Sequence, residues 1–155
     1  MSSSTVHCPK RIVSGGQTGV DRGGLDAALA LGIPHGGWCP KGRVAIDGTI
    51  PEIYDLTETE STDYRERTRQ NVRDSDATLL IYQGTVGKGT ALTLNACRQQ
   101  KRPCLLIQIS EESVDKARQW LNEHKPEVLN IAGSRGDAQL VLQTRVKEFV
   151  MSVLQ

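Results

Sequence analysis

Arg11-Ile-Val-Ser-Gly-Gly-Gln-Thr-Gly-Val-Asp-Arg-Gly-Gly-Leu-Asp-Ala-Ala-Leu-Ala-Leu31 reads as a short strand, a glycine-rich turn and a helix, and that order decides the fold class. Leu25, Ala28 and Leu29 recur at i, i+3 and i+4, the spacing of one helical face, and Gly32-Ile-Pro34 supplies the stop. Gly15, Gly16 and Gly19 permit backbone angles closed to other residues and let a ligand approach the main chain. The first N–H groups of such a helix have no partner within it, so a phosphate or another oxyanion fits there. A bare strand-to-helix turn needs less than three glycines with Gln17, Thr18, Asp21 and Arg22.

The 155 residues suit one domain with a single buried core over 10–155, preceded by a flexible lead-in at 1–9 that includes Ser2-Ser-Ser-Thr5. Nineteen Lys and Arg stand against eighteen Asp and Glu, so the net charge of +1 gives no reason to expect a nucleic-acid or membrane surface. Any preference for anions is therefore local. Aromatic residues make up 4% of the chain, too few for stacking platforms along single-stranded nucleic acid. Cys8, Cys39, Cys97 and Cys104 have no CxxC spacing and follow no secretory signal, which reads as free thiols in a cytoplasmic protein. No apolar run approaches the ~20 residues of a membrane span.

Strand and helix signals then alternate, which predicts an α/β fold: a mainly parallel open sheet with helices on both faces. A polar helix is expected from Ser61 to about Ser75, a buried strand over Ala77 to Tyr82, a helix over Ala91 to Gln99 and a buried strand over Cys104 to Ile109. Ser113 to His124 reads as helix and Val128 to Ala132 as strand. A long amphipathic helix over Asp137 to Leu154 closes the core with Leu140, Val141, Val146, Phe149, Val150 and Val153. Residues 36–60 are irregular, with short strands possible at Gly37-Trp38 and Tyr54-Asp-Leu56.

A second glycine-rich junction, Gly84-Thr-Val-Gly-Lys-Gly-Thr90, also lies between a strand and a helix. In an open α/β sheet such loops converge outside the carboxyl ends of neighbouring strands, where ligands sit. Gly87 and Gly89 can offer N–H groups, Lys88 a cation and Thr90 a hydroxyl to one anion. It is not a Walker A loop, because Lys88 precedes Gly89, and the first loop's GG-x-x-G is not the dinucleotide fingerprint. In Gly36-Gly-Trp-Cys-Pro-Lys-Gly-Arg43, Lys41 and Arg43 flank Gly42, and Trp38 either stacks on a planar heterocycle or packs at an edge. Cys39 reads as a packing residue rather than a metal ligand, and His35 has no evident partner. Arg65, Arg69 and Arg73 share one face of the polar helix, where nearby Asp63, Glu66, Asp74 and Asp76 make a solvated, self-paired surface the stronger reading. Arg67 lies off that stripe and points to the ligand side or to another subunit. Gly133, Ser134 and Arg135 in Asn130-Ile-Ala-Gly-Ser-Arg135 complete the rim at a third junction.

SGGQTGVDRGGLDAAL, GGWCPKGR, IDG, RTRQNVRDSDATLLI, GKGTALT and LNIAGSR, in this order from Arg11 to Arg135, together resemble the molybdenum carrier proteins. The resemblance implies a single Rossmann-like domain and a homo-oligomer, tetramer or dimer. It also implies a role in binding, protecting and delivering molybdenum cofactor (molybdopterin), or molybdate, to cofactor-free molybdoenzymes. It places Gly15 to Gly19, Lys41 to Arg43 and Gly87 to Thr90 around the pocket. Ile46 replaces an acidic residue before Asp47-Gly48, and Lys88 interrupts what is usually Gly-Gly-Thr. The related phosphoribohydrolases resemble P-G-G-x-G-T-x-x-E with a catalytic glutamate, and here Gly89-Thr90 matches the G-T while Thr93 stands at the glutamate position. Binding is thus expected rather than catalysis, with no metal site built by side chains. A nucleotide- or ADP-ribose-type sensor and a residual nucleoside-monophosphate phosphoribohydrolase remain as alternatives.

Overall fold

The computed structural model describes residues 5–136 and 140–155. Its core is a parallel five-stranded sheet in the order β2-β1-β9-β7-β8, from β1 (Arg11–Val13), β2 (His35–Gly36), β7 (Ala77–Ile81), β8 (Cys104–Ile107) and β9 (Val128–Gly133). All five residues of β7 are buried, as in a strand covered on both faces, and the one polar side chain among them, Thr78, is hydrogen-bonded by Asn130. Helices α1 (Val20–Leu31), α4 (Glu111–His124) and α5 (Val141–Leu154) enclose the main apolar cluster, with Ile12, Leu129, Ile131, Leu121, Val146 and Phe149 among its members. Helices α2 (Tyr64–Arg73) and α3 (Lys88–Gln100) pack together over a smaller cluster of Val72, Ala96, Cys97 and Cys104. The four cysteines are free, and no helix among the described residues is long and apolar enough to cross a membrane.

Several boundaries move for local reasons. The polar helix begins at Tyr64, because Asp63 and not Ser61 caps it, accepting the Arg65 N–H at 3.0 Å. α3 begins at Lys88, so Lys88, Gly89 and Thr90 form its first turn instead of preceding it. Ser110 caps α4 and starts it two residues before the expected Ser113. The expected start of the last helix at Asp137 lies outside the described residues, and its first described residues, Leu140 and Val141, are exposed rather than in the core. Leu29 in α1 is likewise exposed, while Leu25 and Ala28 are buried. Of the lead-in, residues 1–4 lie outside the described set; His7 donates its backbone N–H to Asn122 of α4.

The irregular stretch carries two small ladders. β3 (Trp38–Cys39) pairs in parallel with β6 (Thr57–Glu58), three residues after the strand expected at Tyr54, and β4 (Val44–Ala45) pairs with β5 (Gly48–Thr49). Cys39, Ile50, Tyr54 and Leu56 pack on Leu25 of α1, so this segment has its own apolar anchor. The Tyr54 hydroxyl and Gln143 of α5 both donate to Asp26, at 2.6 and 2.7 Å. Burial, and then the Asp26 hydrogen bond, push the Tyr54 phenol well above its ordinary value, so it remains a donor.

Candidate functional site

Strands β1, β9 and β7 are neighbours, so the loops that follow them meet at one edge of the sheet. The first loop closes largely on the protein itself. Val20 donates its N–H to the Ser134 carbonyl at 3.0 Å, Arg22 to Gln17 at 3.2 Å and Gly23 to Gly19 at 3.0 Å, which occupies the start of α1 expected to hold an oxyanion. The Gln17 N–H goes to Asp21 Oδ2 and the Thr18 hydroxyl to the Arg135 carbonyl. Gly16 and Gly19 both have φ of +79°. An added Cβ would lie 2.5 Å from Leu56 Cδ1 at Gly16, and 2.6 Å from the Arg135 carbonyl at Gly19. These two glycines let chain pack on chain, not ligand on chain.

Two of the cations expected beside the ligand, Arg22 and Arg43, are also spent elsewhere. Arg22, its side chain 5% exposed, donates through Nε to the Gly16 carbonyl and through both terminal nitrogens to Asp47 at 2.6 and 2.8 Å. This fork-on-carboxylate pair holds Asp47 below the usual carboxylate range and ties the β4–β5 hairpin to the first loop. Arg43, at φ +55°, donates to the Pro51 and Tyr54 carbonyls and clamps its own loop. Lys41 is exposed, and the Gly42 N–H donates to Glu58. The Trp38 indole N–H donates to Asp74 at 2.8 Å, and the side chain is half-buried. Gly16, Thr18, Gly19, Arg22, Trp38, Lys41, Gly42 and Arg43 therefore lie outside the lining of the cavity that the other predicted residues share.

That cavity measures about 500 Å³ and is walled by Gly15, Gln17 and Asp21 from the first junction, Gly87, Lys88, Gly89 and Thr90 from the second, and Gly133, Ser134 and Arg135 from the third. At α3, Ala91 is the first residue whose N–H returns to the helix, on Gly87; those of Lys88, Gly89 and Thr90 meet no acceptor among the described residues. An added Cβ on Gly87 or Gly89 would meet no atom within 4 Å, so open space lies against this turn. Thr90 is only 3% exposed, and its hydroxyl has no hydrogen-bond partner among the described residues. The far wall comes from α2 and β9: Tyr64, Arg67, Thr68, Asn71, Asn130 and Ala132. Of these only Arg67 is a predicted ligand-side candidate. Tyr64, Arg67, Thr68 and Asn71 stand at i, i+3, i+4 and i+7, one face of a helix, and this spacing was the available signal. Asn130, a single amide inside an otherwise apolar strand, was another; its side chain donates to Thr78 on the adjacent β7 at 3.2 Å.

A family model of circularly permutated YpsA SLOG proteins matches residues 12–154. The chain belongs to that family. Over 98% of both chains it is 41% identical to, and superposes with a TM-score of 0.91 on, the crystal structure of the "putative molybdenum carrier protein" from Syntrophus aciditrophicus SB. No curated protein matches it.

In this member of the YpsA SLOG family, one carboxylate, Asp21, reaches the cavity among the described residues. It is bound to Arg67 Nη1 at 3.0 Å. Burial raises the Asp21 carboxyl above its ordinary value, while Arg67 and the Gln17 N–H pull it back. Thr93, where a phosphoribohydrolase has glutamate, turns its hydroxyl to the Gly89 carbonyl at 3.2 Å. The lining thus combines backbone donors, a hydroxyl and cations, a set suited to holding an anion.

Proposed function

We propose that the cavity binds a molybdenum-containing anion, the molybdenum cofactor or molybdate, and that the protein protects it and hands it to cofactor-free molybdoenzymes without turning it over. One observation carries this reading: the open first turn of α3, the unpartnered Thr90 hydroxyl, Lys88 and Arg67 wall the same cavity of about 500 Å³. A volume in that range suits a cofactor-sized molecule. A phosphate or oxo-molybdenum group suits α3, where Gly87, Lys88, Gly89 and Thr90 would hold it, and a planar pterin suits the wall of Tyr64, Arg67 and Asn71. When bound, the group supplies the redox-active metal centre that a recipient enzyme lacks. The neighbour's designation as a molybdenum carrier supports the choice of molybdenum over other anions.

Native mass spectrometry and metal analysis of protein purified with cofactor supplied should find molybdenum and the pterin in equal amounts. Lys88→Ala and Thr90→Val should each weaken binding by about one decade with little change in melting temperature, the usual effect of losing one hydrogen bond to a charged group. Protein that emerges free of both metal and pterin, with molybdate affinity unchanged in the two variants, is the outcome that rejects the site.

A further inference from the structure

Asp21 stands where the sequence placed a ligand's anion. It lies in the first turn of α1, and its Oδ2 accepts the Gln17 N–H at 3.1 Å and Arg67 Nη1 at 3.0 Å. Both partners are withdrawn from solvent, with the Asp21 and Arg67 side chains 7% and 13% exposed. The guanidinium rests directly on the main chain at Gly15, where any Cβ would collide with it, and Nε donates to the Tyr64 carbonyl at 3.3 Å. Nη2 donates to none of the described residues, and Arg67 and Asp21 both line the cavity. A buried ion pair is close to neutral when seen from a short distance, so the ionised carboxylate cancels most of the attraction that Arg67 would exert on an anion.

We propose that Asp21 is an internal counter-anion for Arg67, a positioning residue that competes with the ligand for this guanidinium and so limits the anion affinity of the cavity. The inference rests on the reading that the cavity takes an anion and adds which residue restrains it. The other charges facing Asp21 do not duplicate this role. Arg22, on the same helix, is bound by Asp47; Lys88 from α3 and Arg135 after β9 line the cavity, and Tyr64 is the other titratable group on α2's cavity face. None of the three histidines lines it. The sign of the pH dependence follows. Burial lifts the Asp21 carboxyl above its ordinary 3.8, so it protonates earlier than an exposed carboxylate as pH falls. Its charge is then lost, Arg67 turns to the ligand, and anion affinity rises.

Sulfate, which stays a dianion well below the ordinary carboxylate range, is the probe, titrated calorimetrically from about pH 8 to the acid limit of folding. Wild type should bind it more tightly as the pH falls, by up to about tenfold once the carboxyl is protonated, the weight of one charge-assisted contact. Asp21→Asn keeps an acceptor for the Gln17 N–H; it should bind about tenfold more tightly at neutral pH and with a flat profile. Sulfate should also raise its melting temperature more steeply than that of wild type. Arg67→Gln should bind weakly and also without pH dependence. If Asp21→Asn does not fold, the wild-type and Arg67→Gln profiles decide alone. A flat wild-type profile, or an Asp21→Asn variant that binds no better than wild type, overturns the inference. Should Lys88→Ala still weaken sulfate binding in that case, the anion cavity survives and only the role of Asp21 falls. Sulfate binding by neither wild type nor variant overturns both.

Discussion

Replacing Arg22 with Met would remove a fork of two hydrogen bonds to Asp47 and a third to the Gly16 carbonyl, and would leave that carbonyl buried without a donor. Asp47 is 32% exposed and can rehydrate, so the cost sits at the lower end of the range for broken buried pairs, about 3 kcal/mol. For a chain of this size that is a fall in melting temperature on the order of 10 °C. The pair also gives stability a pH signature. Because Arg22 holds the Asp47 carboxyl below its ordinary 3.8, the contribution is complete above that value and is lost as pH falls through the lower, folded one. The stabilities of wild type and Arg22→Met, measured by urea unfolding, should therefore differ most near neutrality and approach each other below about pH 4. A constant difference down to pH 2 would mean that the effect of Arg22 is packing and not charge.

At the level of elements, the end of β9 is fixed by contact with β7. Gly133 has φ +154°, faces Ile81 in the ladder, and has the Ile81 carbonyl directly in the path of any Cβ, while the next N–H, of Ser134, donates to that same carbonyl at 3.0 Å. Gly133→Ala must therefore strain the backbone and push the two central strands apart, at a cost of about 2–5 kcal/mol. Urea unfolding would measure this, and an alanine variant as stable as wild type would mean that the strand end is not pinned. The strand–glycine–helix junctions were legible in the sequence because glycine clusters and apolar runs are local signals. What each glycine does was not. Gly16 is required by Leu56 and Ile50, and Gly19 by Ser134 and Arg135, residues brought against them only by the tertiary fold. The basic residues behave alike: Arg22 finds Asp47 and Arg43 finds Pro51 and Tyr54 through the hairpin, so their charges could not be assigned to a ligand or to the chain from spacing alone. Arg67, Thr68 and Asn71 were legible as a helical face, but the stripe of Arg65, Arg69 and Arg73 beside it was the louder pattern, and Arg65 and Arg73 pair with Asp63 and Asp74.

Across the whole molecule, the strand order sets three junctions from distant parts of the chain side by side, and what they share determines which chemistry is available. A glycosidic bond to a nucleobase is broken by stabilising the departing base or activating water, and each needs a carboxylate or another proton-transfer group free to act. Of the cavity's lining, Asp21 is the one carboxylate among the described residues, and it is engaged by Arg67 and the Gln17 N–H; the position matching the hydrolase glutamate is Thr93, whose hydroxyl is turned into its own helix. A free carboxylate typically contributes about 10²–10⁴-fold to rate, so a cavity whose one carboxylate among the described residues is already engaged should not sustain turnover at enzymatic rates. The carrier reading accordingly expects that protein incubated with AMP yields no adenine above the buffer control by chromatography. The same protein should slow the oxidative loss of molybdenum cofactor and reactivate a cofactor-free molybdoenzyme. Steady multiple turnover of AMP, abolished by Lys88→Ala, would instead make this cavity an active site and the bound anion a substrate.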